Sequence, residues 1–550
     1  MSRNQSENRS LIDRRSFVQR AGLLAAGSAF GCSLVSCSDF EISIPCLGPA
    51  SAPPSVPGMT YIRASQIGCA LDCDLGSGRN KYTGGAATDD GPRINAAMAG
   101  ASATNPITLI IDGSAMISGL FLPAGGYWSI AGLGCGTGFF VKSGTNNDGI
   151  HNAPPNIQIP WDPGPPAPAR GMNVSLSNFA LNGNQGNGHN GDSNTGLRQG
   201  SLIAWYCGIN LVNLDNITIE NVVVVNCPSF HFRFSNVGHV TVSGCVMKSF
   251  GLSTDGLHFG GPANDITITS CDFTTGDDAI ALNCPEGYSG NITRVAVSNC
   301  TFNSLSLMRI YTTIGDYLNF YVDAVSVSNC SGSFSEAGFL IGLANNSFPN
   351  SVSLTISDCI LKSYDALAIA ENFGAITMTN VTFIPTRSIY FWGTMPQPDR
   401  NCAFLRPSPL YAGVTSVGSS LTFNNCRITR NADIKVDPFI LENNSSIANL
   451  AFNGFAVQDA GSYPPMVGLI DIGSGSIGQL VLNALDSKNI LAPVSGSGFS
   501  SVGSVSGTGV LATGWEFPDG VMANGVPYIS ASSGLPSIKV GGVVDPYPEP

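Results

Sequence analysis

The chain has 550 residues, of which 43% are hydrophobic, only 11% are charged and 65 are glycine, so it can bury a large core and is not a disordered polymer. Its formal net charge of −12 excludes nucleic acid as a general partner, because phosphate binding needs a basic surface, and an acidic sugar would need local Arg or Lys. The low-charge mixture rich in Gly, Ser and Thr suits a long β-structure with many tight turns better than a helical domain.

Residues 1–37 read as an address. Asp13-Arg14-Arg15-Ser16-Phe17-Val18 precedes a mildly apolar run, Ala21 to Val35, which is too short to span a bilayer. It resembles a twin-arginine signal, a route that exports proteins already folded. Leu34-Val35-Ser36-Cys37 resembles a bacterial lipobox, with Cys37 as the lipidated residue; the alternative is a plain signal peptide cut elsewhere, with Cys37 incidental. The Ser/Pro-rich residues 38–58 then form a tether. These features predict a periplasmic or cell-surface lipoprotein, or a secreted protein, that is monomeric and meets a membrane only through the anchor.

Thr88 to Met98 (TDDGPRINAAM) predicts a helix with Thr or Asp at its N-cap and Pro near its first turn. Two strand-and-turn units, TLIIDG and LFLPAGGYW, follow it. This order resembles the N-terminal cap of pectate-lyase-like β-helix proteins, and solenoid ends do need caps. The Pro-rich residues 152–171 and the Gly/Asn-rich residues 179–196 are expected as loops on the groove side.

The strongest signal is a repeat. From Ile217 the sequence runs ITIENVVVVNC, HVTVSGC, DITITSCDF, VAVSNCTF, AVSVSNCSG, LTISDCIL, AITMTNVTF and LTFNNCRI. Each unit alternates apolar and polar residues, as strands do, and ends in a turn residue. Cys recurs at 227, 245, 271, 300, 330 and 359, continued by Val381 and Cys426. The chain has 16 cysteines, and their regular placement predicts a column of buried thiols, with Cys69 and Cys73 as the pair to test for a bridge.

A second strand follows in each unit: FHFRF at 230–234, GLHF at 256–259, AIAL at 279–282, RIYT at 309–312, GFLIG at 338–342, ALAIA at 366–370 and SIYFW at 388–392. Units of 20 to 30 residues, each with two or three short strands, predict an all-β fold, a right-handed parallel β-helix with an N-terminal helical cap. Residues 59–440 are its expected catalytic body; 441–550 are terminal coils and a Gly/Ser-rich extension.

Adjacent rungs of such a solenoid lie about 4.8 Å apart. Asp255 and the pair Asp277-Asp278 are spaced by one coil, so they should meet on one face, and crowding should raise at least one of their pKa values. A neutral carboxyl beside an ionised one supplies the acid and the base that glycoside hydrolysis needs. Alternation turns Phe230, Phe232, Phe234, Leu257, Phe259, Ile280, Leu282 and Ile310 inward. His231, Arg233, His258, Asn283, Arg309 and Tyr311 then face outward as substrate-binding candidates, with Glu371 and Trp392 farther along.

Ser253-Thr254-Asp255-Gly256 and Gly276-Asp277-Asp278 resemble the NTDG and GDD motifs of glycoside hydrolase family 28, the polygalacturonase family, and the resemblance extends over roughly residues 60 to 440. It implies that Asp277 is the general acid, that Asp255 and Asp278 position and activate water, and that hydrolysis proceeds with inversion. The chain departs from the family pattern in three places. Ser253 replaces Asn, no SGHG histidine follows His258, and RIK becomes Arg309-Ile310-Tyr311, without the lysine that grips a uronate carboxylate. The expected partner is a polysaccharide or oligosaccharide, with no cofactor; an Asp-Asp pair offers Ca²⁺ oxygen ligands as the alternative. The competing functions are a polysaccharide lyase acting on a uronate glycan, with Arg309 as its base, and a non-catalytic carbohydrate-binding surface protein.

Overall fold

The computed structural model describes residues 44–45, 48, 50, 56–145, 147–152, 167, 169–185, 207–251, 254–314, 318–341, 352–363, 366–370, 373–386, 403–406, 417–430, 446–459, 470–471, 476–485, 494–495, 502–507, 522–523 and 526–527. The signal, the lipobox with Cys37, the tether up to residue 55 apart from residues 44–45, 48 and 50, Ser253, Glu371 and Trp392 lie outside the described residues.

The repeat closes into a parallel β-helix. One column of inward side chains shows the stacking: Ile217 pairs with Val240, then follow Ile266, Val295, Val325, Leu354, Ile376, Leu421, Leu450, Leu480 and Val505, each in parallel register with the next. The ladder therefore crosses residue 440 without interruption. Toward the N-terminus the same column continues through Val174, Trp128 and Ile107. All of these side chains are buried, and a fully buried aliphatic side chain contributes roughly 1.5–3 kcal/mol. A long core can thus form from residues that each contact only neighbouring coils.

The turn residue after each repeat strand has a specific job. Asn221, Ser270, Asn299, Asn329, Asp358, Asn380 and Asn425 all take left-handed backbone angles, φ 51–55°, and Gly244 fills the same corner. Asn and Asp tolerate that region better than other side chains. Their side chains also bond along the stack, as when Asn380 Nδ2 donates to Asp358 Oδ1 at 2.9 Å. The next position faces the core and holds Val222, Cys245, Cys271, Cys300, Cys330, Cys359, Val381 and Cys426.

The column is expected to start at Cys227, but Val222, five residues earlier, holds that place. Val222 occupies the rung below Cys245, since Val246 N donates to Val222 O, and Cys227 sits at the following corner. The thiols of the column are free and buried, and so are those of Cys69 and Cys73, which form no bridge. Cys135 is disulfide-bonded.

Of three other expectations, one is refined, one is corrected and one falls outside the described residues. The helix Gly91–Met98 forms with Pro92 in its first turn, yet Asp90 at the N-cap position turns its carboxylate to Ala70 N (2.7 Å) and Leu71 N (2.9 Å). Gly91 N is met by Asp89 Oδ1 instead, and Ile94 and Met98 enter the core. Within 179–196, Ala180–Asn182 is a strand of the ladder rather than loop, paired with Val223–Val225. The partner of Ala366–Ala370 on the next coil is Ala403–Arg406; SIYFW at 388–392 lies outside the described residues.

Candidate active site

Four stacked strands carry the site: Phe232–Ser243, Leu257–Thr269, Asp278–Asn283 and Thr301–Tyr311. Phe232, Leu257, Ile280 and Met308 form the inward column, and Arg233, His258, Ala281 and Arg309 the neighbouring outward one. Ala281 carries nothing beyond Cβ, so no large side chain separates His258 from Arg309.

The motifs Thr-Asp-Gly and Gly-Asp-Asp bend the chain just before these strands, and their uncharged members explain how two bends nest. Thr254 Oγ1 accepts from Gly276 N at 2.9 Å and donates to Gly251 O at 2.7 Å, tying both coils together. A Cβ on Gly276 would come within 2.5 Å of Gly251 N, and one on Gly256 within 2.5 Å of Ala279 O and 2.6 Å of Phe273 Cδ1. Any larger residue forces the coils apart. With the bends nested, Gly256 N donates to Asp278 O and Leu305 N donates to Asp277 O. Asp255 and Asp278 are thereby rung neighbours, and Asp277 stands one residue before them.

The result is a compact acidic centre. Oxygens of Asp255, Asp277 and Asp278 all lie within 4.8 Å of one another. Asp277 has 23% of its side chain exposed and Arg309 22%, whereas Asp278 has 3% and Asp255 5%. A ligand would therefore reach Asp277 and Arg309 first. Arg309 Nε pairs with Asp278 Oδ2 at 2.5 Å, its Nη2 lies 3.9 Å from Asp277 Oδ1, and Ser306 Oγ donates to Asp278 Oδ1 at 2.6 Å. Oxygens this close are a spacing at which a hard cation could bind. Here the guanidinium already supplies positive charge at that point.

Electrostatics separate the carboxyls. Burial, then the charges of Asp278 and Asp255, push Asp277 well above the usual carboxylate range. Asp278 rises to about 6, because burial and Asp255 outweigh the opposing pull of Arg309 and Ser306. Burial disfavours the charged form of Arg309, but Asp278, Asp277 and Asp255 outweigh it and hold the guanidinium firmly protonated.

The other expected site residues are placed deeper than an outward-facing reading suggests. His258 is buried between two carboxylates: Nδ1 meets Asp255 Oδ2 and Nε2 meets Glu286 Oε2, both at 2.7 Å. Phe230, expected in the core column, instead stacks on that imidazole, with centroids 3.9 Å apart. His231 is buried, with Nδ1 2.7 Å from the Asp255 carbonyl; burial lowers its pKa to about 4, so it is neutral. Arg233 and Asn283 are buried too, and Asn283 Nδ2 donates to Glu286 Oε1 at 2.9 Å. His258 and His231 therefore contact Asp255 from within the fold, and Asn283 contacts Glu286, so none of these four is an open groove residue. Tyr311 is half-buried on the same face, in register with Asn283.

Sequence reasoning missed Glu286, Ser306, Phe230 and Glu336. Glu336 is half-buried and close enough to raise the Asp277 pKa. Glu286 had a usable signal: a lone acid three residues after Asn283, in a chain with only 11% charged residues.

Residues 173–347, the coils that carry all of these groups, match the family described as Glycosyl hydrolases family 28. Over those residues the chain is similar to glycosyl hydrolase family 28. No curated protein matches it. Among solved structures, the tailspike protein of E. coli bacteriophage HK620 is similar at 10% identity, covering 83% of this chain and 77% of that one, with a TM-score of 0.52. A Yersinia enterocolitica family 28 exopolygalacturonase has 11% identity, coverage of 78% of each chain and a TM-score of 0.47. The Streptococcus pneumoniae surface adhesin PfbA has 12% identity, coverage of 83% and 94%, and a TM-score of 0.45. At 10% identity the likeness to the tailspike protein is one of fold.

Proposed function

We propose that this chain is a glycoside hydrolase of polysaccharide or oligosaccharide chains, with Asp277 as general acid and Asp255 and Asp278 as the carboxylates that hold and activate water. The observation carrying this reading is the divergence of environment within one cluster. Asp277 is partly exposed, and burial and its acidic neighbours raise its pKa, favouring the protonated form, while Asp278 is tied to Arg309 and Ser306 and its pKa rises to about 6. A carboxyl that favours its proton beside carboxylates that accept one is the acid–base pair for glycosidic cleavage. Asp277 gives its proton to the leaving oxygen, and water adds at the anomeric carbon as it loses a proton to the carboxylate pair.

Inversion is the outcome that the family resemblance implies. Two-carboxylate inverting sites keep their groups about 6.5–9.5 Å apart and retaining ones about 5–5.5 Å. The oxygens of the three carboxylates here lie within 4.8 Å of one another, so the set is closer than a two-carboxylate inverting pair, and the proposed route has Asp255 and Asp278 share the attacking water. Proton NMR of the first-formed anomer distinguishes the routes. A lyase would need Arg309 to take a proton, and an arginine held charged by Asp278 at 2.5 Å is a poor base.

Release of reducing ends from a polysaccharide panel, without new ultraviolet absorbance from unsaturated products, tests the reading. Asp277→Asn is expected to lose roughly 10²–10⁴ of that rate, the usual contribution of a general acid. Equal cleavage by the variant and its parent would remove Asp277 from the mechanism. Export of the folded chain and lipidation at Cys37 belong to the same proposal. They rest on Arg14-Arg15 and the lipobox-like Leu34 to Cys37, and mass spectrometry of the mature N-terminus checks them.

A further inference from the structure

His258 and Glu286 take no direct part in the hydrolysis just described, yet they are arranged with as much care as the acids. The imidazole is closed in on every side. Asp255 lies against Nδ1 and Glu286 against Nε2, each at 2.7 Å, and the Phe230 ring is stacked at 3.9 Å with planes 13° apart. Glu286 is itself fixed: its Oε1 accepts from Asn283 Nδ2, and its backbone N donates to Asn283 O in the turn that ends the Asp278–Asn283 strand. The other charged or titratable groups around the ring are Arg233 on the preceding rung, neutral His231, Asp278, and Arg309 beyond Ala281.

Two buried carboxylates facing one imidazole are expensive to desolvate unless the ring is protonated, when each nitrogen donates to an acid. Without Glu286, the proton on Nε2 would have no acceptor at that place, and the neutral tautomer would suffice for the single contact to Asp255. We propose that Glu286 is a positioning residue for the hydrolase site: by holding His258 as an imidazolium, it commits Asp255 Oδ2 to that ring and fixes the charge and orientation of Asp255 beside Asp277 and Asp278. The inference rests on the assignment of Asp255 to the water-activating pair. It gives His258 the role of a charged clamp rather than of an acid or base that cycles its proton. In agreement, burial disfavours the charged ring, but Glu286 and Asp255 overcome this and raise its pKa to about 9.

The chain has five histidines, few enough to follow individually by NMR with ¹³Cε1-labelled histidine. In the parent, His258 is expected to stay protonated through pH 8, and in Glu286→Gln its titration midpoint should fall by more than one pH unit. The alkaline limb of hydrolysis should move down by the same interval, with melting temperature recorded to show that the variant is folded. A merely structural Glu286 would shift melting and leave both titrations in place, and that result overturns the proposal. So does a parent His258 that titrates near pH 6.5, which needs no variant at all. Turnover with an unshifted imidazole overturns this inference alone; absence of glycan turnover in the parent overturns the hydrolase reading beneath it.

Discussion

Two faces of the same coils carry opposite kinds of side chain. On the face of the repeat strands, the outward column reads Thr218, Thr241, Thr267, Ala296, Ser326, Thr355, Thr377, Thr422 and Ala451. On the face that follows the Thr-Asp-Gly and Gly-Asp-Asp bends, the outward column reads Arg233, His258, Ala281 and Arg309, with Asp255 and Asp278 at its edge. The inward columns behind the two are equally apolar. Small β-branched residues suit a half-exposed pleated surface and ask nothing of their neighbours. Buried ions do ask: each needs a partner across a rung, and the like-charged acids oppose folding. One face therefore holds the solenoid together, and the other draws on that stability to keep charges where chemistry can use them.

Replacement of Arg309 should break this contrast most visibly after the loss of Asp277 itself. Arg309→Met removes a charge-assisted contact worth about 1.5–3 kcal/mol, so kcat/KM is expected to fall roughly 10- to 150-fold. Asp278 would then lose the pull that limits its rise to about 6, and the acid limb of the pH profile should move upward. An unchanged limb would show that Arg309 does not govern Asp278.

The backbone fit of the site face can be tested against the opposite face. Gly276→Ala forces a Cβ against Gly251 and should cost about 1–3 kcal/mol in denaturant melts, the range for overpacking. Thr267→Val, at an exposed position of the repeat strand, should change stability by less than about 0.5 kcal/mol. Similar losses at both positions would mean that the bends are no more tightly nested than the sheet.

Smaller effects should appear in the pH dependence of stability, and they have a definite sign. His258 is raised from 6.5 to about 9 in the folded chain, so its contribution is complete below pH 6.5 and disappears as pH rises through about 9. Asp278 is raised from 3.8 to about 6 and Asp277 is also raised well above 3.8, so their ionisation also weakens the fold as pH increases above about 4. Melting temperature should thus decline from pH 4 to pH 9. Asp277→Asn, while inactive, should melt higher than the parent at pH 7 and no differently below pH 4. A variant less stable than its parent at pH 7 would contradict the crowding of these carboxyls.

Much of this was legible in the residues themselves. Alternation in runs such as DITITSC and VAVSNC determined strands with one buried edge, the Asn and Asp that follow them determined left-handed corners, and the interval from Asp255 to Asp278 determined that the acids meet. Those are local properties, set by the period of a strand and by which side chains tolerate positive φ. The depth of His231, Arg233, His258 and Asn283, the stacking of Phe230 and the arrival of Glu286 at His258 were decided only by the tertiary structure. Alternation says which way a side chain leaves the strand, whereas its burial depends on how sharply each bend turns and how long each connecting loop is. Coils of unequal length are brought into register by backbone hydrogen bonds between rungs, and it is that register, set by packing over the whole stack, that chooses which distant residues become neighbours.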